Sequence, residues 1–226
     1  KNDNGNNGRT ELVFVVDRSG SMGGLESDTI GGFNSMLSKQ RTIAGECRVT
    51  TLLFDHRIET LHNHLDIREV NDLTSRDYWV RGSTALLDAI GLAIDRMIVT
   101  QRHTAAAYRA QHVLFVIITD GYENASRRYS LHQIKQMITY ERERYHWEFV
   151  FLGANIDAEQ TAGDFGISPR CATDFHADGQ GIKASFEAVA CAATAVRGGA
   201  DLDDLSAPDF LGGVRDDYRS RRRMKR

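Results

Sequence analysis

Leu12-Val13-Phe14-Val15-Val16-Asp17-Arg18-Ser19-Gly20-Ser21-Met22 decides how the rest of the chain is read. Five apolar residues, mostly β-branched or aromatic, run without a break, the pattern of a strand buried on both faces of a parallel sheet. The run ends on a carboxylate, and two hydroxyls follow at alternate positions around Gly20. In open α/β sheets, ligands sit in the crevice beyond the carboxyl ends of the strands. Asp17, Ser19 and Ser21 therefore crowd oxygen donors onto the place where such a fold binds. Hard oxygen donors on a tight turn suit Mg²⁺ or Mn²⁺ and not zinc or copper.

Outward from this stretch, strand and helix patterns alternate. Residues 11–17 are predicted as the first strand. A helix follows from Ser27 or Asp28, with Ile30, Phe33 and Leu37 on one face. Residues 47–54 read as a strand and 57–61 as an antiparallel return at the sheet edge. Residues 67–70 read as a short extended piece. A polar loop with Tyr78 and Trp79 leads into a helix over 85–100, with Ser83 or Thr84 at its N-cap. Val113 to Ile118 is a second unbroken apolar run and ends in Thr119-Asp120-Gly121. A helix over 130–145 buries Leu131, Ile134 and Ile138. A strand over 147–152, a short helix from Ala158, a small strand over 171–175 and a helix over 180–196 complete the pattern. The expected fold is a doubly wound α/β domain, with a mostly parallel sheet, one antiparallel edge strand and helices on both faces. Residues 1–10 are Asn/Gly-rich and expected to be disordered. Residues 11–198 form the domain, and 199–226 read as a flexible tail, acidic and then basic.

The chain has 226 residues, 41% of them hydrophobic, which suits one α/β domain with a sizeable core. Cys47, Cys171 and Cys191 are far apart and odd in number, so neither a disulfide framework nor a zinc cluster is expected. No apolar run reaches the ~20 residues of a membrane span. The polar N-terminus shows no signal peptide and no initiator Met, and the expected compartment is the reducing cytoplasm. The net charge is −3; residues 215–226 carry +5, leaving −8 on the rest. Such a body is unlike a dedicated nucleic-acid-binding domain.

Three loops carry the chemistry: Asp17, Ser19 and Ser21 in the first, Thr84 in the second, Asp120 in the third. Together they offer three hydroxyls and two carboxylates, and the carboxylates supply the charge that neutral hydroxyls cannot. An open coordination position would accept a carboxylate from a partner.

These residues resemble the von Willebrand factor A domain with its metal-ion-dependent adhesion site. That family's pattern is Asp-x-Ser-x-Ser after the first strand, a Thr in a mid-chain loop and an Asp ending the fourth strand. Asp17, Ser19, Ser21, Thr84 and Asp120 match all five positions, over a resemblance running from about Glu11 to Val196. Thr84-Ala85-Leu86-Leu87-Asp88-Ala89 and Phe151-Leu152-Gly153-Ala154-Asn155 are similar to stretches in compact intracellular members from bacteria and phages. The resemblance implies one Mg²⁺ or Mn²⁺, with Ser19, Ser21 and Thr84 touching it directly and Asp17 and Asp120 acting through water. It implies a partner protein that offers an Asp or Glu, in the setting of an AAA+ ATPase or a multiprotein assembly. Gly23-Gly24 stands where integrin-type domains place acids, so no adjacent second metal site is expected; with neither a secretory signal nor an extracellular cysteine pair in view, extracellular adhesion is not expected either.

Other residues admit two readings each. Asp88 is a supporting acceptor or a first-turn acid favoured by the helix dipole. Glu123 and Asn124 rim the binding face or belong to a solvated loop. Tyr78 and Trp79 contact a partner or pack over the sheet edge. His62 and His64 alternate, which places both on an exposed strand face, and no third ligand lies near. The three cysteines read as small buried residues. Catalysis is not expected. The rival readings are Mg²⁺-dependent phosphoryl transfer through Asp17, against which Ser19 replaces the second acid such enzymes need, and a nucleic-acid-associated role for the basic tail.

Overall fold

A computed structural model of the chain describes residues 8–204, 206 and 208–224. Six strands form one sheet: β1 (Thr10–Asp17), β2 (Cys47–Phe54), β3 (Ile58–Asp66), β4 (His112–Thr119), β5 (Glu148–Gly153) and β6 (Ala172–Asp174). Their spatial order is β3-β2-β1-β4-β5-β6, and only the β2–β3 pair is antiparallel. All eight residues of β1 are buried, because β2 and β4 flank it and helices cover both its faces. This is the mostly parallel, doubly wound α/β architecture that the unbroken apolar runs predict.

The helices are α1 (Glu26–Arg41), α2 (Leu86–His103), α3 (Leu131–Tyr145), α4 (Ala158–Asp164), α5 (Gly179–Arg197) and α6 (Gly212–Met224). Helices α1 and α5 pack against each other, as do α2 and α3. Phe33 of α1 sits edge-on between Phe14 of β1 and Phe186 of α5, at 5.2 and 6.2 Å between ring centres. At the far end of this layer the buried Arg197 donates to the carbonyls of Gln40 and Ile43, pinning the last turn of α5 to the end of α1. Among the described residues no helix is long and apolar enough to cross a membrane.

The strand order creates the crevice. From β1 the chain passes through α1 to β2 on one side, then returns through α2 to β4 on the other. The loops after β1 and β4 therefore diverge, and Asp17 and Asp120 stand on either side of the gap.

Several expectations are corrected. Residues 1–7 of the expected disordered segment lie outside the described residues. Arg9 is fixed, donating to Glu46 at 2.7 Å, and Thr10 already belongs to β1. The expected tail contains α6, with Leu211 and Val214 buried at its start. Arg215 donates to the carbonyls of Pro169, Arg170 and Ala172, and Arg221 holds both oxygens of Asp178. A run that is polar by composition thus folds by pairing its charges with the edge of the sheet. Strand β3 runs on to Asp66, and residues 67–69 turn and do not extend. Register shifts against β2 break the alternation there. His62 is buried against the Thr51 hydroxyl, while His64 takes a left-handed backbone (φ 54°) and pairs with Glu11. Cys191 and Leu131 are exposed.

Candidate metal centre

Asp17 is fully buried at the end of β1. One carboxylate oxygen accepts from the Ser19 amide at 2.6 Å, which closes the turn; the other accepts from the Thr119 hydroxyl at 2.6 Å. The buried Tyr78 hydroxyl donates to the Asp17 carbonyl at 2.6 Å. Ser19 and Ser21 stand with hydroxyls 3.0 Å apart, and Ser21 donates to Asp120 Oδ1 at 2.5 Å. The loops after β1 and β4 thereby meet through side-chain oxygens.

Thr84 closes the group. A methyl placed on Gly121 would lie 3.4 Å from the Ser21 hydroxyl and 3.6 Å from that of Thr84. Gly121 thus leaves open the space that the two hydroxyls border. Thr84 does not cap α2, contrary to the sequence expectation. The N-cap is Ala85, without a side-chain bond. Glu123 accepts instead from the Leu87 amide and the Ser126 hydroxyl from the Asp88 amide. A helix start served from another loop leaves the Thr84 hydroxyl to the crevice.

The structure therefore brings Asp17, Ser19, Ser21, Thr84 and Asp120 together from three loops. Neighbouring residues hold the loops in place. The Asp88 carboxylate accepts from the amides of Arg127, Arg128 and Tyr129, so it anchors the loop after β4. Asn124 accepts from the Thr84 amide and its own amide donates back to the Thr84 carbonyl. Asp55 is a hub that sequence reasoning missed. Its carboxylate accepts from Arg18 and Arg81, and its carbonyl accepts from the Ala85 amide. Nothing in an Asp-His turn announces this role; only the tertiary meeting of β1, β2 and the 81–85 segment creates it.

The electrostatics point to a cation. Burial pushes the Asp17 carboxyl up to about 6, against the lowering effect of the Thr119 and Ser19 bonds, and the nearby Asp120 charge adds to the rise. Burial also raises Asp120, and the Ser21 bond only partly offsets it. Arg18, next in sequence to Asp17, turns away to Asp55 and Glu59. Asp120 Oδ2 is buried and has no hydrogen-bond partner. Leaving a buried carboxylate oxygen unpaired is costly unless something positive meets it. Hard oxygens from two carboxylates and three hydroxyls fit a small divalent cation. Among the described residues no three His, Cys, Asp or Glu side chains cluster as metal ligands, so a cation in this crevice would need the hydroxyls as donors.

No family model matches the chain, and no curated protein does. Solved structures do. Proximal thread matrix protein 1 from the mussel byssus, with a zinc-occupied MIDAS motif, is 15% identical with a TM-score of 0.58. The match covers 82% of this chain and 46% of that one, so this chain spans just under half its length. Manganese-loaded TRAP protein of Plasmodium vivax is 15% identical with a TM-score of 0.53, covering 79% of this chain and 72% of that one. These are von Willebrand factor A structures, and this chain has their fold: a Rossmann-like α/β domain whose first-strand loop faces its fourth-strand loop.

Proposed function

We propose that the chain is a metal-dependent protein-recognition module. Asp17, Ser19, Ser21, Thr84 and Asp120 hold one Mg²⁺ or Mn²⁺, and the ion's open position takes an Asp or Glu from a partner protein. The observation that carries this reading is the buried, unpaired Oδ2 of Asp120 beside a second buried carboxylate and a hydroxyl cluster. The ion would supply the positive charge that this oxygen cluster lacks and a Lewis-acidic position for an incoming carboxylate. The zinc and manganese named for two similar structures support a cation in this crevice. The AAA+ ATPase setting rests on the sequence resemblance and on nothing in the fold.

Recognition is favoured over phosphoryl transfer because Ser19 stands where enzymes that phosphorylate a strand-end Asp place a second acid, and Arg18, the cation next to Asp17, is turned away to Asp55 and Glu59.

Mn²⁺ titration of the wild type and of Asp120→Ala, followed by partner capture in Mg²⁺ and in EDTA, tests the proposal. One ion bound by the wild type, none by the variant, and a partner released on chelation are expected. Undiminished Mn²⁺ binding by Asp120→Ala would overturn it.

A further inference from the structure

Beside the metal loops lies a group of side chains that the five oxygen donors do not explain. The 78–82 segment runs along the loop after β1. Tyr78 donates to the Asp17 carbonyl, the Arg81 amide to the Arg18 carbonyl at 2.9 Å, and the Gly20 amide to the Gly82 carbonyl at 3.1 Å. Gly82 takes a left-handed backbone (φ 67°), and a methyl there would strike the His56 ring, so the segment is tightly seated.

Two arginines meet at Asp55, and they differ. Arg18 is 1% exposed, and its Nε and Nη2 pair inside the fold with Asp55 and Glu59. Arg81 gives only its Nε to Asp55, at 2.7 Å, and its side chain remains 30% exposed. Among the described residues its two Nη groups have no protein acceptor. The guanidinium lies 4.4 Å from the centre of the Trp79 ring, which is itself 43% exposed.

An exposed arginine normally gives up side-chain freedom when it binds. Here a buried carboxylate and an aromatic face have already fixed it while it stays 30% exposed. Its two Nη groups offer parallel N–H donors, the geometry that holds a carboxylate bidentately. Neutralising Asp55 does not need it, since Arg18 and the Arg57 amide already bond that carboxylate.

We propose that Arg81, backed by Trp79, is a second anionic subsite, and that the partner segment carries two acidic residues, one for the metal and one for Arg81. The inference rests on the metal-dependent recognition proposed above and names the chemistry of its partner. Trp and Arg are the residues that anchor interfaces, and here they stand within a few residues of the ion-binding loop.

The test uses defined peptides on the full Mn²⁺-loaded chain. One has a single Asp in a neutral background; the others have a second Asp spaced by zero to three residues. Binding is read by calorimetry. At one spacing the diacidic peptide should bind roughly tenfold tighter than the single-Asp peptide. Arg81→Gln should erase that preference, and Arg81→Lys, which keeps charge without the fork, should keep only part of it. Equal affinity for all peptides on the wild type, or an undiminished preference in Arg81→Gln, overturns the subsite. A parallel loss of Mn²⁺ affinity in Arg81→Gln also overturns it and makes Arg81 a positioning residue for the metal loops. Failure of the broader reading looks different: peptide binding that survives EDTA or Asp120→Ala.

Discussion

At the scale of single residues the crevice is a place where stability has been given up. Asp17 and Asp120 are both buried, which disfavours the charged form of each, and the Asp120 charge adds to the cost of charging Asp17. Removing one charge should therefore help the protein when no ion is present. Asp120→Asn keeps an oxygen for the Ser21 hydroxyl and removes the repulsion. In EDTA its melting temperature should rise by about 2–4 °C, as expected for ~1 kcal/mol in a domain of this size. Mn²⁺ should then raise the melting temperature of the wild type and leave the variant unmoved. A variant that Mn²⁺ stabilises as it does the wild type would show that the ion, if bound, is held elsewhere.

At the scale of elements, α1 offers a paired test of packing. Gly31 and Gly32 are adjacent, yet a methyl on Gly31 meets nothing within 4 Å, whereas one on Gly32 would enter the Phe186 ring of α5. Gly31→Ala should stabilise by about 0.5–1 kcal/mol through helix propensity. Gly32→Ala should destabilise by about 1–3 kcal/mol, because two packed helices must part. Urea unfolding of the two variants reads the opposite signs; equal shifts would contradict the α1–α5 contact. At the start of β5, burial and the neighbouring Asp201 push Glu148 up to about 7 from an ordinary 4.5. Between those values the folded protein holds a proton that the unfolded chain has released, so this group lowers stability as pH rises through the window. Glu148→Gln should match the wild type near pH 4 and melt higher near pH 8. A constant difference across that range would exclude the titration.

The same scale shows what was legible in the sequence. Strands β1 and β4 were plain because both faces are covered, which demands an unbroken apolar run. Asp17, Ser19, Ser21 and Asp120 were plain because they cling to the ends of those runs, whereas Thr84 stands apart from them, where the 81–85 segment leads into α2. The Asp55 hub and the service of α2 by Glu123 and Ser126 were hidden, since each joins residues tens of positions apart. His62 and His64 misled because alternation assumes a regular ladder, and register shifts along β3 break it.

On the scale of the whole molecule, the last helix changes how the charge distribution is understood. The basic C-terminal run is partly spent on folding. Arg215 satisfies three carbonyls at the start of edge strand β6, and Arg221 grips Asp178, whose Oδ1 caps the start of α5 through the Gly181 amide. Arg219, Arg222 and Arg223 face outward. An edge strand of three residues is thereby covered, and an open edge invites pairing with another chain. Composition could not reveal this, because the apolar anchors Leu211 and Val214 are few and the rest of the helix is held by ion pairs. Those pairs are partly exposed, so each should contribute only about 0.5–1 kcal/mol, and their loss should be local. Arg221→Ala should speed amide hydrogen exchange across α6 and in the first turn of α5, residues 179–182, while β1 and β4 exchange as before. Fast exchange confined to α6 would mean that Asp178 caps α5 without help. Faster exchange in β1 and β4 as well would mean that α6 belongs to the same cooperative unit as the sheet.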